Sequence, residues 1–341
     1  MQENYCKVYS FNNKEKKFAD HRISVVKLNN VRINSDLVQK FQHLVSIKDI
    51  TKEQIDAILD KALQIENDPK AFANSCEGKI LANIFFEPST RTRLSFESAM
   101  LRLGGKVLGF ADPATSSVKK GESIADTIRM AAAYSDIIVM RHFLEGSGRV
   151  ASEYSSVPVI SGGTGIQEHP TQALLDIYTI KKEFNKIDGL TIGLLGDLRF
   201  GRTIPSLLYA FSKYKDIKIK LYSPPQLKAR MTVLTDIEGK LSYQVEESLS
   251  DTIDTLDVLY VTRVQKERFP DEATYERVKG SYIINTDLIK KAKQNMIIMH
   301  PLPRVGEIDY KVDQLPQARY FQQAKNGVWV RMALLYMMLG D

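Results

Sequence analysis

The order of apolar and polar positions changes character most clearly between Ile80 and Gly105. Ile80 to Phe86 is an apolar run broken only by Asn83, short enough for a buried strand. Pro88 ends it, because proline has no N–H to give to a strand ladder. Ser89 and Thr90 are helix-capping residue types. From Arg91 the apolar side chains Leu94, Met100, Leu101 and Leu103 keep a rough helical spacing until Gly104-Gly105. The pattern predicts a strand, a tight turn and a helix.

The same reading extends in both directions. Thr51 and Gln54 are spaced as a capping box, and Ile55, Ile58, Leu59, Ala62 and Leu63 form one apolar helical face after it. Strands are expected at 106–110, 137–140, 157–160, 190–195, 217–222, 258–261 and 296–299. Helices are expected at 124–133, from Pro170 to Phe184, from Arg202-Thr203 onward and at 320–339. Between 222 and 258 the chain reads as mostly helical. Strands alternating with helices indicate an α/β protein with parallel sheets. The change after Phe184 divides it in two. The expected organisation is an N-terminal extension over 1–34, a first domain over 35–184 completed by a C-terminal helix over 322–341, and a second domain over 185–321.

Composition adds bounds. The 341 residues are 43% hydrophobic and 26% charged, which suits globular domains of ordinary size. Forty-seven basic residues against 41 acidic ones give a mild positive excess. No Lys/Arg-rich block with interleaved aromatics accompanies it, and anionic small molecules are as good a reason for the excess as nucleic acid. Two cysteines, Cys6 and Cys76, make neither a disulfide framework nor a metal-ligand spacing, so a cytoplasmic location without metal is expected. The N-terminus lacks the apolar core of a secretory signal. Val328 to Leu339, the most apolar stretch, is too short to span a bilayer and contains Arg331, so it reads as a core helix and no membrane partner is expected. The extension, with its mostly basic run from Lys14 to Lys17, reads as a solvated tail rather than a docking arm.

The candidate chemistry sits where strands end. A helix N-terminus carrying Ser89, Thr90, Arg91, Thr92 and Arg93 offers N–H groups, hydroxyls and guanidinium forks suited to a phosphate, although capping alone would explain the hydroxyls. Arg141 follows another strand. His169 stands before Pro170 at a helix start, where the dipole favours a neutral imidazole. Arg202 starts a helix of the second half, and Arg263 follows a strand there, where the carboxyl ends of parallel strands line a ligand crevice. Neither Ser161–Gly165 (SGGTG) nor 196–203 (GDLRFGRT) has dinucleotide-loop spacing.

The string FFEPSTRTRLSFESAMLRLGG, with HPTQ at 169–172, TRVQKER at 262–268 and HPLPR at 300–304, resembles the aspartate and ornithine carbamoyltransferases over roughly 45–339. The resemblance implies two doubly wound parallel-sheet domains joined by two interdomain helices, and no cofactor. It implies transfer of a carbamoyl group from carbamoyl phosphate to an amino acid, an early step of pyrimidine synthesis when the acceptor is aspartate. Carbamoyl phosphate would be held by Ser89, Thr90, Arg91, Thr92, Arg141, His169, Gln172 and the carbonyls of Pro301 and Leu302, with Ser116 and Lys120 reaching in from a neighbouring subunit. Thr92, Arg141 and His169 would act in catalysis, and Glu87 would orient arginines. Aspartate would meet Lys120, Arg202, Arg263, Gln265 and Leu302. Ornithine-specific members carry HCLP and an SMG motif; HPLPR and TRVQKER here imply aspartate. A homotrimer with shared active sites is implied, and some relatives pair two such trimers with separate zinc-bearing regulatory chains. His300 reads as structural. A dehydrogenase of similar fold, a non-catalytic regulatory relative and a nucleic-acid binder are the weaker alternatives.

Overall fold

The computed structural model describes residues 41–266, Phe269 and residues 271–340. The expected extension over 1–34, Cys6, and Glu267 and Arg268 of TRVQKER lie outside the described residues.

The capping box forms as its spacing predicts. Thr51 Oγ1 accepts from the Gln54 N–H at 3.3 Å, Gln54 Oε1 accepts from the Thr51 N–H at 2.8 Å, and α1 (Lys52–Asn67) starts there. Ile55, Ile58, Leu59 and Ala62 are buried, but Ile65 completes the face and Leu63 is exposed. The chain continues through β1 (Ile80–Phe85), α2 (Thr90–Arg102), β2 (Lys106–Phe110), α3 (Ile124–Tyr134), β3 (Ile137–His142), α4 (Ser147–Tyr154), β4 (Val159–Thr164) and α5 (Pro170–Phe184). These strands form one parallel sheet in the order β2-β1-β3-β4. On α2 the helical repeat does not coincide with burial. Met100 and Leu103 are buried, whereas Leu94 and Leu101 are exposed and the core face is supplied by Phe96 and Ala99.

The second half runs β5 (Thr191–Leu195), α6 (Thr203–Phe211), β6 (Lys218–Tyr222), α7 (Met231–Ile237), β7 (Ser242–Val245), β8 (Val258–Val261), α8 (Glu272–Val278), α9 (Thr286–Ile289), β9 (Ile297–Met299) and α10 (Tyr320–Leu339). Its strands form a second parallel sheet, β7-β6-β5-β8-β9. β7 lies inside the stretch expected to be mostly helical. As an edge strand it buries little, so no apolar alternation marks it.

Apolar runs made central strands because helices cover both faces of each sheet. One continuous core passes from Leu81, Phe85 and Ile137 of the first sheet, through Leu174, Ile177, Val330 and Leu334 of α5 and α10, to Ile192, Leu194 and Tyr260 of the second. Each fully buried aliphatic side chain there contributes about 1.5–3 kcal/mol relative to exposure. α10 lies against α1, α2 and α5.

Strand order places the chemistry. In each sheet the order reverses direction at one point, between β1 and β3 and between β5 and β8. Ligands of open parallel sheets bind at the carboxyl ends of strands at such points. Glu87 and Arg141 follow β1 and close β3, while Asp197 and Arg263 follow β5 and β8. Both reversals open on one cleft.

Candidate active site

The cleft has a volume of about 830 Å³. Ser89 to Thr92, Arg141, His169, Gln172, Arg202, Arg263, Gln265, Pro301 and Leu302 all line it, although they come from segments far apart in sequence. Ser116 and Lys120 do not line it. They lie on the short-helical loop at 113–120, where Ser116 Oγ donates to the Pro113 carbonyl at 2.8 Å. Arg93 also leaves the expected cluster, pairing along its own helix with Glu97 at 2.8 Å.

Ser89 is the N-cap of α2, yet its hydroxyl makes no capping hydrogen bond. The helix therefore presents its first-turn N–H groups, with the Ser89 and Thr90 side chains, at the edge of the cleft. Thr92 is buried, with Oγ1 3.3 Å from His169 Nε2. Burial, and then the facing charge of Arg263, lower the pKa of Arg91. Two cations crowded in this way favour an anion between them.

Among the described residues that line the cleft, Glu87 is the only acidic one. Its Oε1 is 2.7 Å from Arg141 Nε and 2.6 Å from Arg202 Nη1, so one carboxylate grips an arginine from each half of the fold. Burial opposes ionisation of Glu87, and the two guanidiniums prevail and hold its pKa below the usual range. The glycines of SGGTG serve this arrangement. Gly163 has φ +114°, and a Cβ there would stand 3.1 Å from Arg202 Nη1 and 3.5 Å from His169 Cδ2. The stretch is a cradle for two site residues, not a nucleotide loop.

His169 caps α5 with its backbone N–H donating to Ser206 Oγ at 2.8 Å. Complete burial, then Arg141, Arg331 and Arg202, push its pKa well below 6.5. The neutral imidazole expected from the helix dipole is present, with burial and three nearby arginines as the causes found.

The turn after β9 is set by His300, which is buried. Its Nδ1 accepts from the Leu302 N–H at 2.7 Å, which puts the ring proton on Nε2, 2.6 Å from Glu307 Oε1. Leu302 is thereby held at φ +54°, followed by a cis peptide bond to Pro303. Asp197 organises the opposite wall. Its carboxylate accepts from the N–H groups of Arg199 at 3.2 Å, Phe200 at 2.9 Å and Gln265 at 3.3 Å, tying the two loops that carry Arg202 and Arg263.

Sequence reasoning missed the residues behind the cleft. Arg331 is buried, lines the cleft and lies 5.0 Å from the Phe96 ring centroid, and burial takes its pKa down to about 10. Gln323 also lines it, and Asp176 lies behind it. A usable signal existed. Gln323, Asn326 and Arg331 interrupt an apolar helix on the same face as Val330 and Leu334, where a purely structural helix would be apolar.

Two family models match the chain: the carbamoyl-phosphate-binding domain of aspartate/ornithine carbamoyltransferases over 42–182, and their aspartate/ornithine-binding domain over 188–338. The aspartate carbamoyltransferase catalytic subunit of Methanocaldococcus jannaschii is 53% identical over 303 residues, covering 88% of this chain and 98% of that relative. The corresponding subunit of Clostridium perfringens is 50% identical over 304 residues, covering 89% and 99%. Among solved structures, Trypanosoma cruzi aspartate transcarbamoylase in complex with carbamoyl phosphate superposes with a TM-score of 0.84 at 37% identity, covering 89% of this chain and 97% of that one. The same enzyme in complex with N-(phosphonacetyl)-L-aspartic acid gives the same score, identity and coverage.

Proposed function

Since the chain belongs to the aspartate/ornithine carbamoyltransferase family, we propose that it transfers the carbamoyl group of carbamoyl phosphate to the α-amino group of L-aspartate, giving N-carbamoyl-L-aspartate and phosphate. The observation that carries this reading is the charge of the cleft: among its described residues, Arg91, Arg141, Arg202, Arg263 and Arg331 stand against the single carboxylate of Glu87. That excess suits a phosphate and a dicarboxylate bound together, and would repel the cationic side chain of ornithine.

The attacking amine adds to the carbamoyl carbon, the carbonyl electrons move onto oxygen, and collapse of the tetrahedral intermediate expels phosphate. Binding both reactants in one cleft replaces a bimolecular encounter. Ser89, Thr90 and Arg91, with the N-terminus of α2, bind the phosphoryl group. Thr92, Arg141 and neutral His169 donate to the developing oxyanion, each donor worth about 3–4 kcal/mol in comparable sites. A neutral imidazole serves as a donor without introducing another positive charge beside Arg141. Gln172 and the carbonyls of Pro301 and Leu302 accept from the carbamoyl amino group and from the incoming amine. Arg202 and Arg263, with Gln265 and the Leu302 backbone, hold the two carboxylates of aspartate. The amine proton passes to the departing phosphate, since no side chain in the cleft stands out as a base. Domain assignments follow: 35–184 with the C-terminal helix bind carbamoyl phosphate, and 185–321 bind aspartate.

Ser116 and Lys120 belong to this site from a neighbouring subunit. Their absence from the lining of their own cleft and the exposed Leu101, Met130 and Tyr134 support a trimer that shares its active sites. Two such trimers joined to regulatory chains are the larger assembly proposed, in the cytoplasm. Among the described residues no helix is long and apolar enough to cross a membrane.

Turnover tests the reading. Purified protein supplied with carbamoyl phosphate is expected to form carbamoyl-aspartate and no citrulline from ornithine; citrulline formation would overturn the acceptor, and no product from either would overturn the activity.

A further inference from the structure

Behind the cleft lies a buried carboxylate on which three segments converge. Asp176 is fully buried on α5 and does not line the cleft. Its Oδ1 accepts from Gln172 Nε2 at 2.8 Å and from Gln323 Nε2 on α10 at 2.6 Å, and its Oδ2 accepts from the Tyr260 hydroxyl on β8 at 2.8 Å. Gln323 Oε1 in turn accepts from the His300 N–H at 2.9 Å.

An ionised carboxylate only accepts hydrogen bonds, so every group facing it must present a donor. Gln172 is therefore obliged to turn its NH₂ inward to Asp176, leaving its carbonyl oxygen for the cleft. We propose that Asp176 is a positioning residue that fixes the Gln172 amide as an acceptor and so selects a carbamoyl amino group over an isosteric methyl. Gln323 completes the device by fastening the same oxygen to the turn carrying Pro301 and Leu302. The proposal rests on the transfer reading above and adds to it the origin of selectivity for an NH₂ group.

The test exchanges donor and acceptor. In the double variant Asp176→Asn/Gln323→Glu, the new amide donates to the new carboxylate, which still accepts from His300, and the buried charge near Arg331 is kept. The amide NH₂ now faces Gln172, which must rotate and point its own NH₂ at the cleft. Dissociation constants for inorganic phosphate, acetyl phosphate and carbamoyl phosphate are measured without aspartate at pH 8.5, above the value of about 7 to which burial pushes Asp176, with carbamoyl-aspartate formation assayed alongside. Added repulsion in the cleft weakens all three ligands together, whereas a turned Gln172 weakens carbamoyl phosphate alone.

The wild type is expected to prefer carbamoyl over acetyl phosphate at least tenfold, and the double variant to lose at least fivefold of that preference. An unchanged preference would overturn the proposal, as would a wild type with no preference. Tyr260→Phe removes only the Oδ2 donor. It is expected to lower the Tm while keeping the preference within twofold, and a collapsed preference there would reduce Asp176 to a structural role. A wild type that shows the preference but makes no carbamoyl-aspartate would instead defeat the transfer reading.

Discussion

Thr92 Oγ1 lies 3.3 Å from Nε2 of His169, joining the first turns of α2 and α5 across the floor of the cleft. The imidazole in this pair is neutral because burial and three arginines lower its pKa. In the unfolded chain it titrates near about 6.5. Below that pH the unfolded state binds a proton that the native site refuses, so this group withdraws stability as pH falls and contributes no penalty above it. The ring ¹⁵N shifts of His169 are expected to stay those of neutral imidazole from pH 8 to pH 6; a midpoint near 6.5 would contradict the assignment.

Gly163→Ala tests the cradle without removing any functional group. The positive φ costs about 1–3 kcal/mol in an alanine. The added methyl presses on Arg202, 3.1 Å from the ideal Cβ position. The expected outcome is a lower Tm together with a several-fold rise in the KM for aspartate. A fall in Tm with unchanged aspartate KM would show that Arg202 is not positioned by this glycine.

Arg263→Ala should discriminate between the two substrates. A hydrogen bond to a charged group is worth about 1.5–3 kcal/mol, or roughly ten- to hundred-fold in affinity. The loss is expected in the KM for aspartate, while affinity for carbamoyl phosphate changes much less, because Arg91 and Arg141 remain. Equal losses for both substrates would mean that the arginine does not belong to the aspartate half.

Much of this was legible because the informative signals are local. A strand that ends in Glu87-Pro88, followed by STRTR, declares its turn and its helix start within a few residues, and HPTQ does the same for α5. The convergence of Arg91, Arg141, Arg202 and Arg263 is different. It depends on where strand order reverses, and was reached only through family resemblance. The misses have physical causes. Arg93 fits the phosphate cluster by its place in the sequence, but Glu97, one helical turn on, pairs with it instead. Leu94 and Leu101 keep the helical repeat without facing the core. Asp176 and Gln323 are hydrogen-bonded to each other in the interior beside the charge of Arg331, and polar residues on an otherwise apolar helix give no sign of their partners until those partners are known.

The loop at 113–120 gives a prediction about assembly. With aspartate held near the wild-type KM, Ser116→Ala/Lys120→Ala and Arg263→Ala proteins should each be nearly inactive. After subunit exchange between them some active sites pair an intact loop with an intact cleft, so part of the activity should return. A mixture no more active than its components would place Ser116 and Lys120 outside the neighbouring site.

In the proposed reaction the arginines of both strand-order reversals bind two anionic substrates at once. N-(Phosphonacetyl)-L-aspartate joins a phosphonate and an aspartate in one molecule, and its calorimetric titration measures that claim directly. Linking two half-ligands that fit together is expected to strengthen binding by about 10²–10⁴-fold over either half. A gain of that size over phosphonoacetate and over aspartate is expected, with most of it lost in Arg91→Ala and again in Arg263→Ala. An affinity no better than the stronger half, or one untouched by either substitution, would contradict it.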